Sequence, residues 1–199
     1  MLHLIPSQIT EAVNILNQGG VLIFPTETSY GLGCDATNDA AVARIFALKG
    51  RPDGKGLPLL IAEAGDAERY VAFGEKAKEL GLLHWPGALN IVAPITVTSP
   101  VSSRCSEGGN QSVRVSSHPV ASALARALGR PLVATSANVS GSEPLYDVVG
   151  VEDVFKDRSN EPDAVIDAGV LERRPASTTV VVIGENVTIV REGSVHIDV

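Results

Sequence analysis

Cysteine, aromatic residues, positive charge and long apolar runs are all scarce in this chain. Only Cys34 and Cys105 occur, and neither belongs to a CxxC pair. A cysteine-built zinc site is therefore excluded, and a disulfide framework is not expected. No apolar run is long enough to span a bilayer, and residues 1–7 lack the basic-then-apolar order of a secretory signal. A cytoplasmic chain with no membrane attachment is the expectation. With aromatics at 4%, the core must rest on Val, Leu, Ile and Ala. Lys and Arg are outnumbered by Asp and Glu, giving a net charge of -7. That balance argues against a protein whose main task is to coat nucleic acid, because backbone binding relies on cations neutralising phosphates. A local basic cleft remains compatible with an acidic whole. HExxH, Cys/His clusters and GxSxG are absent, so neither a protein-held zinc nor a serine hydrolase is supported.

What is present is ordinary globular material, 44% hydrophobic and 20% charged over 199 residues, which fits one domain over residues 1–199. A helix is expected over residues 7–17, capped by Ser7 and ended by Gly19-Gly20. The apolar run 21–24 reads as a buried strand feeding a polar, Gly-rich loop over 25–35. Asn38 or Asp39 caps a helix to Lys49, with Gly50 as its stop. Further strands are expected at 57–62, 89–97, 112–116, 132–134 and 164–167, and a hairpin at 179–183 and 187–190. Helices are expected at 75–84, at 148–155 and from His118-Pro119 to Gly129. The alternation suggests one α/β domain around a twisted mixed sheet.

The chemistry sits in loops. Residues 25–33 carry hydroxyls that donate and accept, with glycines that let backbone amides approach a ligand. Lys49, Arg51 and Lys55 follow a helix end, where Arg offers a planar fork for phosphate oxygens and Lys a mobile charge. This segment is not a P-loop, because Gly56 stands where Ser or Thr should follow Gly54-Lys55. Arg114 lies inside a short apolar strand and needs an anionic partner, from the protein or from a substrate. His118 reads as a helix-start residue, and Trp85-Pro86-Gly87 as a packing turn. Residues 135–141, with Ser136, Asn138 and Ser140, form a hydroxyl-and-amide loop that either holds phosphate and ribose or satisfies its own turn. Arg191 either pairs with Glu192 or Asp198 or faces a ligand.

In this order, FPTETSYGLGCDA, FALKGRP followed by Lys55, SVRVSSHP, PLVATSANVSG, STTVV and VREG resemble the YrdC-like family of threonylcarbamoyl-AMP synthases. The strings extend from Phe24 to Gly193. The resemblance implies a YrdC/RibB-like α/β fold, its mixed sheet flanked by helices and a concave ligand-binding face. It implies a reaction of L-threonine, bicarbonate and ATP with Mg2+, giving L-threonylcarbamoyl-AMP and pyrophosphate, with no metal held by protein alone. A threonylcarbamoyl-transferase complex would consume the product, and tRNA is a further implied contact. By the same resemblance Lys49 and Arg51 are catalytic. Thr28, Arg114 and Ala134 face threonine, while Lys49, Arg51, Lys55, Asn110, Ser136, Asn138, Ser140 and Arg191 face ATP. The chain departs from the family pattern at Ala88, Asn90 and Glu192, and has no His in the strand after the cationic loop. Two other readings compete, the second sharing only the fold class and not these strings. One is a double-stranded RNA or tRNA-binding module without catalysis; the other is a dihydroxybutanone-phosphate synthase, which needs acidic metal ligands.

Overall fold

The computed structural model describes residues 1–156 and 160–198. It places eleven strands in two mixed sheets, where the sequence pattern suggested one. In the first sheet the order is β1 (Leu2–Leu4), β9 (Ala164–Ile166), β2 (Leu22–Pro25), β3 (Tyr30–Gly33) and β8 (Thr135–Ser136). β9 runs parallel to both β1 and β2, while β3 is antiparallel to β2 and β8. The second sheet has the order β11 (Asn186–Arg191), β10 (Thr178–Ile183), β5 (Leu89–Pro94), β6 (Asn110–Arg114), β4 (Leu59–Leu60) and β7 (Leu132–Val133).

The split has a local cause. The run from Leu132 to Ser136 pairs first with β4 and then, past Ala134, with β3. Ala134 is thus the point at which the chain crosses between sheets, held there by its N–H on the Pro58 carbonyl at 3.0 Å. β3 was hidden in the expected Gly-rich loop, because Gly31 and Gly33 alternate with the buried Tyr30 and Leu32 and are poor strand formers.

Among the described residues five α-helices flank these sheets: α1 (Ile9–Asn17), α2 (Asp39–Lys49), α3 (Glu75–His84), α4 (Pro119–Leu128) and α5 (Val148–Phe155). α1 starts at Gln8 without a side-chain cap, so the expected role of Ser7 does not hold. Pro6 and Ser7 lie in a turn closed by the Gln8 N–H on the Ile5 carbonyl, and that turn leaves Ser7 exposed. α2 behaves as its sequence requires. Asn38 accepts from the Ala41 N–H, and Gly50 ends the helix in the left-handed region at φ 56°, a conformation glycine adopts without a Cβ penalty. This stop fixes where Lys49 and Arg51 leave the helix. α1 and α4 bury Leu16, Ala121 and Leu124 against Phe24 and Leu132. α2 buries Val42 and Ile45 in a second cluster with Tyr30, Leu59 and Ile91.

Candidate active site

Where the sheets diverge there is a hollow of about 410 Å3. Ten of the eleven positions named from sequence line it, drawn from the loop after β2, the end of α2, β6, the Ala134 crossing and β11. Its lining includes Lys49, Arg51, Lys55, Arg114, Arg174 and Arg191, and no acidic side chain among the described residues. A strongly cationic hollow thus sits in a chain of net charge -7.

The eleventh position, Asn110, opens β6 and lines a neighbouring hollow with Ser112 and Val190. The two hollows share Pro58, Asn90 and Arg191.

Lys49 is only 2% exposed. Its ammonium donates to the carbonyls of Ser136 and Asn138 and to Asn138 Oδ1. Removing a cation from water costs several kcal/mol unless its N–H groups are matched, and the 136–138 loop supplies the match. Burial, reinforced by the neighbouring Arg51 cation, pulls the Lys49 ammonium down to about 7. Asn138 is committed to the loop on both sides. Its Oδ1 also accepts from Ser136 Oγ at 2.6 Å, and its Nδ2 donates to the Ser142 and Glu143 carbonyls. Ser140 differs: its N–H binds the Lys49 carbonyl, and its buried hydroxyl has no partner among the described residues.

Arg51 folds back on its own loop, donating from Nε to the Lys55 carbonyl at 3.1 Å and from Nη2 to the Gly56 carbonyl at 2.6 Å. Burial lowers its pKa, and Glu107 opposes that shift. Arg114, the last residue of β6, is 5% exposed. The anionic partner its burial demands is Glu27 at 3.2 Å, and Nη1 also donates to Ser177 Oγ at 2.7 Å. Arg191 donates from Nε to the Ser177 carbonyl at 2.9 Å. No ion pair with Glu192 or Asp198 forms; Asp198 lies 3.2 Å from His196 instead. Ser177 therefore joins Arg114 to Arg191. It lies in the STTVV string, but an unremarkable serine at the head of a strand gave no sign of this.

Thr28 lines the hollow, with its hydroxyl 3.2 Å from that of Thr26. His118 caps α4 through Nδ1, which accepts from the Val120 N–H. Trp85 stacks on Phe73 with ring centres 5.5 Å apart.

A family-wide sequence pattern, Sua5/YciO/YrdC, described as telomere recombination, matches residues 14–193. The chain belongs to the Sua5/YciO/YrdC family. It is 43% identical over 156 residues to the threonylcarbamoyl-AMP synthase of Halorhodospira halophila, an alignment covering 77% of this chain and 80% of that protein. Its structure resembles P. abyssi Sua5 crystallised with L-threonine, with a TM-score of 0.87 and 30% identity over 96% of this chain. The chain spans 57% of the length of that Sua5. It also resembles E. coli YciO, with a TM-score of 0.84 and 28% identity, covering 96% of this chain and 93% of the other. Within this Sua5/YciO/YrdC chain no helix among the described residues is long and apolar enough to cross a membrane.

Proposed function

We infer that the chain is a threonylcarbamoyl-AMP synthase, forming the adenylate and pyrophosphate from L-threonine, bicarbonate and ATP. The observation that carries this reading is one hollow lined by cations and hydroxyls without a carboxylate. Such a lining suits a polyphosphate and an amino-acid carboxylate together.

The threonine amine condenses with bicarbonate, losing water, to give an N-carboxylate. One of its oxygens attacks the α-phosphorus of ATP, the bond to the β-phosphate oxygen breaks, and pyrophosphate leaves. Two anions must meet, so fixed cations and prearranged donors lower the barrier more than any covalent step would. Arg51, Lys55 and Arg191 hold the phosphates, with the unpartnered Ser140 hydroxyl and that of Ser136 as neutral donors. Lys49 acts from beneath, shaping the loop that carries both serines. Thr28, Arg114 and Ala134 form the amino-acid end. No group of His, Cys, Asp or Glu among the described residues is arranged to hold a metal. Mg2+ would be bound with ATP and would offset the charge of the phosphates, beside Arg51, Lys55 and Arg191. The Asn110 hollow adjoins the phosphate end and extends the nucleotide side. A threonylcarbamoyl-transferase acting on tRNA in the cytoplasm would consume the product.

Purified protein with ATP, Mg2+, bicarbonate and each amino acid in turn should release pyrophosphate with L-threonine and yield an adenylate of matching mass. Salt-sensitive RNA binding without turnover would instead favour a binding module. Arg51→Ala should cut turnover at least about tenfold, since a charged hydrogen bond is worth about 1.5–3 kcal/mol; near-normal adenylate formation by the folded variant would remove Arg51 from the site. Arg114→Ala should raise the threonine KM by about tenfold and leave that for ATP within about twofold of wild type, because threonine alone is assigned to that end. An unchanged threonine KM would refute the assignment.

A further inference from the structure

Glu27 is the acidic residue nearest the amino-acid end, and it stands behind the lining rather than in it. Its side chain is 9% exposed and that of Arg114 is 6% exposed. Glu27 Oε1 lies 3.2 Å from Arg114 Nη1, and Oε2 accepts from Ser116 Oγ at 2.6 Å. Both carboxylate oxygens are thus fixed by residues at the end of β6 and just beyond it. Arg114 is held through Nη1 alone by Glu27 and Ser177. The N–H groups on Nε and Nη2 take no partner among the described residues, and Arg114 lines the hollow.

Resting on the amino-acid end assigned above, we propose that Glu27 is a positioning residue that makes this end select a zwitterion over a plain anion. The two ends of the hollow differ in charge. Around Arg51, Lys55 and Arg191 the acidic neighbour is the exposed Glu107, which lines the adjoining hollow, so these three cations still leave net positive charge for phosphates. At Arg114 the cation is matched by a buried carboxylate, so the pair itself is neutral, with Arg191 across Ser177 as the cation next to it. A ligand bearing only a carboxylate gains from the free guanidinium donors but is repelled by Glu27. An α-amino acid brings an ammonium close to its own carboxylate, and Glu27 attracts that charge. Glu27 therefore keeps pyrophosphate and the triphosphate at the other end and holds the free guanidinium edge toward the amino acid.

The test compares L-threonine with 3-hydroxybutanoate, which is threonine without its amino group, by calorimetry in the absence of ATP. Wild-type protein should prefer threonine at least about tenfold, the scale of one unit charge acting over less than a Debye length in a poorly solvated site. Glu27→Gln keeps the size and a hydrogen-bonding carbonyl but removes the charge, and should reduce that preference to about threefold or less. Glu27→Asp keeps the charge and should preserve most of the preference, an outcome that loss of packing alone would not produce. Pyrophosphate should also become competitive with threonine in Glu27→Gln, while in wild type it competes with ATP. An undiminished preference in a folded Glu27→Gln protein overturns the role of Glu27 alone. Wild type binding 3-hydroxybutanoate as tightly as threonine overturns it without any variant. If wild type binds no threonine at all, the amino-acid end itself is wrong, and the inference falls with it.

Discussion

Lys49→Met should lower threonine-dependent pyrophosphate release by at least about a hundredfold without destabilising the fold at neutral pH. The stability outcome follows from two opposing consequences. Lys49 is buried with its ammonium pulled from 10.5 down to about 7, a cost to the charged folded form of about 5 kcal/mol that Met would relieve. Met would also strip partners from the Ser136 and Asn138 carbonyls and from Asn138 Oδ1. Asn138 Oδ1 keeps Ser136 Oγ as a donor and the Ser136 carbonyl keeps the Asn138 N–H, so the Asn138 carbonyl is the acceptor left orphaned, at about 1–3 kcal/mol, and the relief of the buried charge outweighs that loss. Activity has no such compensation. The 136–140 loop carries the hydroxyls assigned to the phosphates, and a shift of about 1 Å in a positioned group costs on the order of a hundredfold.

The same residue gives wild type a pH signature. Between about 7 and 8.5 the unfolded chain binds more protons at Lys49 than the folded one, so Lys49 makes unfolding free energy rise with pH in that window. Lys49→Met should lack this slope. Above that window Cys34 and Cys105, whose thiols burial pushes up, act in the opposite direction, and Tyr30 and Tyr70, whose phenols burial also pushes up, join them near 10 and above. Urea midpoints at several pH values and a pyrophosphate assay measure both effects. Near-wild-type turnover in the folded variant would remove Lys49 from the site.

Lys49 also shows what sequence could reveal and what it could not. The placement of Lys49 and Arg51 was legible, because an Asn38 cap and a Gly50 stop define the helix from local rules alone. The same holds for α4 between Pro119 and Gly129, and the expected bounds of α3 are those observed. That Lys49 would turn inward beneath a loop some ninety positions later was not legible, since it depends on β3 pairing with β8. Arg114 lies between these cases. A buried Arg requires an anion, and the sequence said so, but Glu27 as that partner emerges only from the folded chain. Asn110 fell in the neighbouring hollow because it shares a face of β6 with Ser112 and Arg114 but opens the strand that Arg114 ends, and the sequence does not show where along that face one hollow gives way to the next.

Ser177 makes the second large prediction, through Gly193. The VREG string ends on a glycine for which positive φ is not the reason. A Cβ at Gly193 would lie 2.0 Å from the Ala176 carbonyl oxygen and 2.7 Å from both the Ser177 carbonyl carbon and the Thr178 nitrogen. All three are backbone atoms and cannot swing aside. The chain after β11 is sewn to this stretch: the Ser194 N–H binds the Ala176 carbonyl, and Thr178 Oγ1 bridges to the Val195 backbone. Gly193→Ala must therefore displace residues 176–178 or lift the tail from them, at about 3 kcal/mol or more. Either movement carries Ser177 away from Arg114 Nη1 or Arg191 Nε, the contacts that tie the two ends of the hollow together. With two charged hydrogen bonds disturbed, each worth about 1.5–3 kcal/mol, turnover should fall at least about a hundredfold. KM for both threonine and ATP should rise, because one segment positions a residue at each end. Arg114→Ala and Arg51→Ala, by contrast, should each act mainly on one substrate. A Gly193→Ala protein that unfolds at the wild-type urea concentration and keeps both KM values would show that the 176–178 segment does not set the site.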